Sequence, residues 1–352
     1  MRQYTTSLFI FRRDLRIDDN SALNRAITCS NAVLPCFIFD PRQILKHPYQ
    51  SQPALQFMRQ SLADLQQAFQ KHGVELALYD ALPVEVIKRV FQQHRIQAVF
   101  INRDYTPFSR RRDSELAAVC QELNIDFHTV PDCLLVEPEQ AVRINGSPYQ
   151  VFTAFYNNAR KFSIPLPRPL EKGNFIKVEG ESAIDLPGFL QTETISTTVT
   201  GGRIHALAIL SSLDRYAHYQ TQRDYPALDA TSRLSAHLKF GTCSVREAYT
   251  AIIQHLGAEH PLLRQLYWRD FFTHIAFHYP HVFGKAFHSR YDNLVWDNNQ
   301  DHFEKWSNGM TGFPIVDAGM RELNMTGFMH NRVRMIVASF LTKDLHISWR
   351  WG

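Results

Sequence analysis

The stretch SLFIFRRDLR, residues 7–16, joins a short apolar run to a cluster of charged side chains. Similar apolar runs recur at Val33–Phe39, Glu75–Tyr79, Ala98–Asn102 and Asp126–Val130. The stretches between them, such as 54–70 and 84–94, carry apolar residues at three- and four-residue steps, which is typical of amphipathic helices. Apolar strands that alternate with helices build parallel sheets with right-handed crossovers. Residues 1–134 are therefore predicted to form an α/β domain with a doubly wound parallel sheet.

The loop after the first strand is not a dinucleotide-binding turn. The G-x-G-x-x-G pattern is absent, and Gly73 is the only glycine before residue 146. The chain continues instead with Arg12, Arg13, Asp14 and Arg16. This segment is either a salt-bridged surface loop or a ligand-binding loop at the carboxyl end of a central strand, where open α/β sheets bind their ligands.

The character of the chain changes twice more. Residues 135–200 contain recurring prolines and a polar, threonine-rich run at 192–200, which predict an interdomain connection over the surface. Beyond it the strand pattern disappears, and Ser244 with Glu247 forms a capping-box sequence. Helical patterns cover Ile204–Tyr219, Leu262–His278, Ile315–Leu323 and Met329–Leu345. Residues 201–352 are therefore predicted to form an all-α domain.

The composition excludes several classes of protein. The 352 residues are 45% hydrophobic and 20% charged, which suits two folded domains. The apolar runs are far shorter than the roughly 20 residues of a membrane span. The N-terminus has the wrong order of charge and apolar residues for a signal peptide, and the cysteines form no C-x-x-C pair. We expect a cytoplasmic monomer with no membrane association and no metal site. The net charge of +4 permits a polyanionic partner without requiring one.

Two segments of the helical half carry candidate binding residues. Thr231, Ser232 and Ser235 precede a helical run, so they either cap the helix or bind a phosphate at its N-terminus. Trp268 and Arg269 are adjacent, and such a pair can stack on a base and contact a phosphate. The alternative for Trp268 and Arg269 is a core aromatic ring beside a surface ion pair.

A third segment gathers polar side chains ahead of an apolar helix. His330, Asn331, Arg332 and Arg334 fall within about one turn. A buried arginine must be paired. Arg334 is therefore expected to have an anionic neighbour, and the candidates are Asp317, Asp344 and a cofactor.

Four motifs together resemble the photolyase/cryptochrome family. They are FRRDLRIDDN, RDYPALDATSRLSAHLKFG, LYWRDFF and the long segment TGFPIVDAGMRELNMTGFMHNRVRMIVASFLTKDL, which ends at Leu345. The resemblance spans the whole chain in order. It implies an N-terminal domain that holds an antenna chromophore, a folate or a deazaflavin, and a helical domain that holds FAD.

The resemblance also implies roles for individual residues, which fall into three groups. FAD is expected to contact Tyr219, Thr231, Ser232, Arg233, Leu234, Ser235 and Arg334. UV-damaged DNA and its lesion are expected to contact Arg223, Gln265, Trp268, Arg269, Asn331 and Arg332. Trp296 and Trp349 match members of the tryptophan chain that photoreduces the flavin.

The activity that the resemblance implies is that of a DNA photolyase of the deoxyribodipyrimidine type, which splits cyclobutane pyrimidine dimers with light and reduced FAD. Three departures from the family pattern leave alternatives open. Gln265 replaces the usual glutamate, as in (6–4) photolyases and animal cryptochromes, whereas Asn331 and Met335 match the cyclobutane pattern. Phe108 and Ser109 replace the polar pair that binds folate.

The third departure is the ending after Trp349, where the family pattern continues. It leads us to expect a helical domain that is incomplete at its C-terminus and binds FAD weakly or not at all. The alternatives to a cyclobutane photolyase are a cryptochrome-type blue-light photoreceptor, a (6–4) photolyase and an inactive truncated remnant.

Overall fold

A parallel sheet occupies the N-terminal part of the computed structural model, which describes residues 2–45, 50–176 and 195–352. Its strands are β1 (Tyr4–Phe11), β2 (Ser30–Phe39), β3 (Ala77–Asp80), β4 (Ala98–Asn102), β5 (Asp126–Val130) and β6 (Asn174–Phe175). The strand order is β3-β2-β1-β4-β5, with β6 paired to β2, and every pair is parallel. The five strands predicted from the sequence are confirmed. No sequence pattern indicated β6, which is only two residues long.

Helices cover both faces of this sheet. They are α1 (Ser21–Cys29), α2 (Pro41–Ile44), α3 (Gln52–Gln70), α4 (Pro83–His94) and α5 (Pro107–Glu122). In β1, Phe9 and Phe11 pack in the core under α1 and α3, whereas Leu8 and Ile10 pack in the core under α4 and α5. Because each strand is buried on both faces, it reads as a continuous apolar run rather than an alternating one. The sheet is doubly wound, as predicted.

The connecting segment contains a helix of its own, α6 (Phe152–Ala159). Residues 177–194 of the predicted connection, including the start of its threonine-rich run, lie outside the described residues. The boundaries at residues 134 and 200 remain predictions.

The second half of the chain is helical. Its α-helices are α7 (Arg203–Leu210), α8 (Tyr219–Gln222), α9 (Leu234–Phe240), α10 (Val245–Leu256), α11 (Pro261–His278), α12 (Gln300–Ser307), α13 (Pro314–Thr326) and α14 (Asn331–Ser339). Phe152 and Phe155 of α6 pack with Tyr267 and Phe271 of α11 in one apolar core. The Ser244–Glu247 capping box is confirmed at the start of α10. Among the described residues, no helix combines the length and apolarity that crossing a membrane requires.

Two helices are shorter than the sequence predicted. The pattern at Ile204–Tyr219 divides into α7, a 3₁₀ turn and α8, because the hydroxyls of Ser211 and Ser212 both bind the carbonyl of Ala208 at the end of α7. The last pattern begins at α14 with His330 as its N-cap and continues beyond Ser339 as a π-helical turn, Phe340–Asp344.

A buried charge network joins the two halves of the chain. Arg16 follows β1 and Asp132 follows β5, and their side chains pair at 2.6 Å. Arg246 of α10 binds the same carboxylate at 2.8 Å and Asp19 at 2.9 Å. The loop after β1 is therefore a docking surface for the helical half of the chain.

Gly241 lets the backbone of the helical half approach the loop after β1 closely. Its φ is +65°, and Leu15 N–H donates to the neighbouring Phe240 carbonyl at 3.0 Å. A Cβ on Gly241 would lie 2.3 Å from the Arg13 carbonyl oxygen and 2.5 Å from Asp14 Cα. Only glycine fits this position without moving the backbone.

Candidate functional site

The loop between α8 and α9 packs against the segment that leads into α14. Arg332 Nη2 donates to Asp224 Oδ1 at 2.7 Å. The Arg233 guanidinium lies over the Phe328 ring at 5.3 Å from its centroid. These contacts bring the predicted FAD-binding loop and the predicted DNA-binding segment onto one side of the helical domain.

Buried hydrogen-bond donors without partners mark this side. Arg223 Nε, Arg233 Nε and His330 Nε2 are buried and have no hydrogen-bond partner in the described part of the chain. His330 Nδ1 accepts from Arg332 N–H at 3.2 Å, so the proton of the neutral ring is on Nε2. Burial lowers the pKa of His330, which favours that neutral ring. Unpartnered buried N–H groups are costly, and an anionic ligand would satisfy them.

The predicted pyrophosphate loop has its hydroxyls available. Thr231 and Ser232 are half-buried and Ser235 is exposed, and the side chains of these three residues make no hydrogen bond with another described residue. Arg233, at φ +52°, is the N-cap of α9, and Leu234 is buried beneath it. The arrangement leaves hydroxyls and the first N–H groups of α9 free to bind phosphate oxygens.

Tyr219 lies at the start of α8, which precedes this loop. It is buried, and the Arg223 guanidinium lies over its ring at 5.7 Å from the centroid. Burial raises the pKa of Tyr219, and the arginine lowers it only in part. Tyr219 is therefore a neutral, oriented ring, which suits the wall of a cofactor site.

Four arginines and two aspartates set the local charge. Arg215 and Arg233 share Asp229, at 3.1 and 3.0 Å, while Arg223 and Arg332 flank Asp224. The positive charges outnumber the negative ones, so this side attracts phosphates.

Trp268 lies in a stack of aromatic rings. Its indole is parallel to the Phe152 ring, with a centroid separation of 3.6 Å and an interplanar angle of 6°. Phe272, which is 64% exposed, stacks more loosely at 5.6 Å. Gln265 is half-buried one turn earlier on the same face of α11. Trp268 is thus partly core, with Phe152 as its support, and Gln265 is next to it.

Arg269 is held by contacts within the protein. Its guanidinium donates to the carbonyl of Cys133, makes a longer contact of 3.4 Å with the carbonyl of Leu238, and lies 3.4 Å from Asp270. The side chain is largely buried in these contacts. In this structure Nη1 of Arg269 joins α11 to the segment after β5, and its contact with a phosphate stays a prediction.

Arg334 also differs from the expectation. It is exposed, and its guanidinium forms no hydrogen bond or ion pair with any residue that the structure describes. Asp317, one of its expected partners, accepts instead from Thr311 N–H at 2.7 Å and from Gly312 N–H at 3.0 Å. Arg334 is therefore not buried, and of the candidates for its anionic neighbour only a cofactor stays open.

The same segment forms an open groove. Arg332, Met335, Ile336, Ser339, Phe340 and Asp344 line this groove. Asn331, at the start of α14, is exposed. The residues expected near the lesion and flavin therefore lie on an accessible surface.

The two tryptophans predicted for electron transfer lie on neighbouring segments. Asp297 N–H donates to the His346 carbonyl at 2.9 Å, and Ser348 N–H donates to Asn298 Oδ1 at 2.8 Å. Trp296, which is partly buried, and Trp349, which is 39% exposed, flank these hydrogen bonds.

A separate row of rings was missed by the sequence reasoning. Phe303 contacts Trp306 at 5.8 Å and Trp351 at 5.3 Å between centroids. Phe303 and Trp306 share one face of α12, and that helical spacing was a signal available in the sequence.

The carboxyl end of the sheet is closed by ion pairs. Arg12 pairs with Asp113, and Arg13 pairs with Asp104 at 3.1 Å. The cleft that remains, next to Asn102, has a volume of about 20 Å³, which is room for a single water molecule.

Phe108 and Ser109 are occupied within the protein. Ser109 Oγ donates to Asp104 Oδ2 at 2.9 Å, while Phe108 lies beside the guanidinium groups of Arg42 and Arg112. Both side chains are therefore engaged in contacts within the α/β domain.

Sequence reasoning also missed the partners of Trp268. Phe152 and Tyr156 lie in the segment interpreted as a connection, and Arg264 lies over both of their rings. The signal available was the run VFTAFY at 151–156, whose apolar residues recur at helical spacing.

Arg223 and Arg233 each keep a buried Nε–H group that has no partner among the described residues. An α/β domain docked on a helical domain with such groups defines a two-domain protein suited to bind anionic ligands. Two family models identify it further: DNA photolyase, matching residues 7–171, and FAD binding domain of DNA photolyase, matching residues 262–352. The chain belongs to the DNA photolyase family.

Several known proteins are similar over most of this chain. Deoxyribodipyrimidine photo-lyase of Synechococcus is 35% identical, over 98% of this chain and 75% of its own. That of Escherichia coli is 33% identical, over 99% and 77%. An archaeal photolyase from Sulfolobus tokodaii, solved with two FAD molecules, has a TM-score of 0.89 at 41% identity, over 99% of this chain and 77% of its own. Synechocystis cryptochrome also has a TM-score of 0.89, at 30% identity, over 100% and 78%.

Proposed function

We propose that this chain is a deoxyribodipyrimidine photo-lyase, which uses light and FAD to split cyclobutane pyrimidine dimers in DNA. The observation that carries the proposal is the group of buried, unpartnered donors of Arg223, Arg233 and His330, next to the free hydroxyls of the Thr231–Ser235 loop. Relatives that share about a third of their residues with this chain over most of its length are named for that activity.

The residues present fit FAD at this site. Thr231, Ser232 and the first N–H groups of α9 would hold the pyrophosphate, and Tyr219 would form a wall of the site. Arg334, exposed and unpaired among the described residues, is free to face the flavin ring. Bound FAD in its reduced form supplies the light-driven electron transfer, and the protein supplies binding and orientation.

A DNA lesion must leave the duplex to reach such a site. A distorted pyrimidine dimer is unstacked more cheaply than intact bases, and photolyases are an established example of enzymes that flip their target out of the stack. Trp268, supported from behind by Phe152, offers a rigid ring for the extruded lesion, and Gln265 beside it offers hydrogen bonds. Arg223 and Arg332 then bind flanking phosphates without reading sequence.

A second candidate function is favoured by one residue. A glutamine at position 265 matches the pattern of (6–4) photolyases and animal cryptochromes. The Synechocystis cryptochrome also has a similar fold over this whole chain. Asn331 and Met335 support the cyclobutane assignment. The antenna chromophore, a folate or a deazaflavin, stays a prediction without an assigned site.

We further propose a cytoplasmic monomer. All five cysteines are free, which suits a reducing compartment. Light scattering of the purified chain tests the monomer directly, and a dimer would contradict it.

The central experiment combines absorbance with repair. The purified chain is mixed with FAD, and its spectrum is recorded after gel filtration. The photoreduced sample is then illuminated with a duplex that carries one thymine dimer, with a dark control and a (6–4) duplex in parallel. We expect weak flavin retention after gel filtration and, with FAD kept in excess, light-dependent loss of the thymine dimer. Retained flavin without repair of either lesion would favour the photoreceptor, and repair of the (6–4) lesion alone would reassign the substrate.

A further inference from the structure

Arg264 holds an unusual position next to the proposed lesion site. It precedes Gln265 on α11 and is exposed. Its guanidinium lies 5.2 Å from the centroid of Phe152 and 5.1 Å from that of Tyr156. It forms no hydrogen bond or ion pair with any residue of the described ranges. The charge is therefore oriented by two rings while its N–H groups remain free.

These rings belong to the stack that supports Trp268. Phe152 is parallel to Trp268 and is also nearly parallel to Tyr156, at 19° and 5.7 Å. A guanidinium held against aromatic faces loses less conformational freedom when it binds than one on a free side chain. Arg264 is thus preorganised beside the Trp268 stack, against the two rings that lie behind Trp268.

Neighbouring arginines do not have this freedom. Arg269, on the other side of Gln265 around the helix, donates to the Cys133 carbonyl. Arg160 also lies over Tyr156, at 5.4 Å, but pairs with Glu259 at 2.9 Å. Of these three arginines, Arg264 is the one whose donors are free for an external anion.

We propose that Arg264 binds a backbone phosphate of the lesion-containing DNA strand. The inference rests on the proposed function, because it takes Trp268 as the surface on which the lesion stacks. The planar guanidinium presents two N–H groups to phosphate oxygens, a geometry that suits charge-assisted, bidentate binding. Arg264 thereby adds a phosphate contact to the one that the sequence predicts for Arg269.

Salt-dependent binding tests the inference. FAD-loaded Arg264→Gln and the matched control Arg160→Gln are titrated with a thymine-dimer duplex and with the undamaged duplex at several salt concentrations. Loss of one phosphate contact should reduce the slope of log affinity against log salt by about 0.9. Arg264→Gln should show that change, with about tenfold weaker binding to both duplexes at low salt. Arg160→Gln should leave the slope unchanged.

Two further variants separate this inference from the function on which it rests. Arg264→Lys should keep the wild-type slope, because the charge is retained, while losing part of the affinity that stacking provides. An unchanged slope in Arg264→Gln would overturn the inference, whereas the proposed function stands if Trp268→Ala still lowers the preference for the dimer. If Trp268→Ala leaves that preference unchanged, the proposed lesion site itself is wrong.

Discussion

Arg16 donates from Nη2 to Asp132 Oδ2 at 2.6 Å, and each of these side chains is only 2% exposed. Arg246 holds the other oxygen of the same carboxylate at 2.8 Å. Burial alone would raise the pKa of Asp132, but the two arginines outweigh it and lower the pKa to about 2. The junction between the two halves of the chain thus depends on buried charges that stabilise one another.

Removal of one member of this network should destabilise the whole chain. Arg246→Gln leaves Asp19 and Asp132 each without one cationic partner, and we expect the free energy of unfolding to fall by about 3–5 kcal/mol. Arg160→Gln, which breaks the exposed pair with Glu259, should cost less than about 1 kcal/mol. Urea unfolding followed by circular dichroism measures both. Similar losses of unfolding free energy in the two variants would contradict the conclusion that the junction depends on the buried network.

Asp270 should make stability depend on pH. Burial raises its pKa to about 7, and Arg269 and the N–H groups of Leu135 and Val136 lower it only in part. The folded chain then binds a proton more tightly than the unfolded chain, so this contribution is present below about pH 4 and is lost as pH rises toward 7. Asp270→Asn keeps an acceptor for the N–H groups of Leu135 and Val136 and should remove this loss of stability with rising pH.

The measurement is urea unfolding at pH 5 and pH 8 for both proteins. His237 and His274 act in the opposite direction, because burial lowers their pKa values to about 4. Their contribution to the free energy of unfolding therefore increases as pH rises toward the unfolded pKa of about 6.5. These histidines are unchanged in Asp270→Asn, so the difference between the two proteins isolates Asp270. An identical pH dependence in both would show that Asp270 is ionised throughout.

Gly241→Ala tests the backbone contact at the junction. The new Cβ would overlap the Arg13 carbonyl oxygen and Asp14 Cα, neither of which can rotate away. We expect a loss of about 2–4 kcal/mol, from overpacking together with the left-handed backbone. Gly73→Ala is the matched control, because its φ is +69° and nothing lies within 4 Å of the new atom. It should lose only about 1–2 kcal/mol in thermal or urea unfolding.

The sheet was predictable because burial on both faces leaves a local record in the sequence. Phe9 and Leu8 point to opposite cores, so the whole strand must be apolar. The start of a helix is also predictable from the local sequence where a capping residue such as Ser244 precedes it. The division of the helix after Leu210 was not predictable by periodicity, because two serine hydroxyls bind the backbone there without changing the apolar pattern.

The site was predictable only in part, because its decisive contacts are distant along the chain. The partner of Arg269 is Cys133, and the ring that supports Trp268 is Phe152. No local pattern distinguishes an arginine that binds a backbone carbonyl from one that binds a phosphate. The motif predicted a phosphate contact for Arg269, whereas the fold shows its contact with Cys133 and leaves Arg264 without a hydrogen-bond partner among the described residues.

Gln265→Glu tests the chemistry at the position one turn before Trp268. Glutamine both donates and accepts hydrogen bonds to pyrimidine carbonyl and imide groups, so it suffices for binding. It delivers no proton to the negative charge that develops as the dimer splits, whereas a protonated glutamate does. In the FAD-loaded chain, the substitution should change the Kd for a thymine-dimer duplex by less than about tenfold, or about 1.4 kcal/mol, while repair per absorbed photon rises. Parallel titration and single-turnover repair measure the two quantities, with a (6–4) duplex as the control. No gain on the thymine dimer, together with repair of the (6–4) lesion by the native chain, would show that Gln265 marks a different substrate.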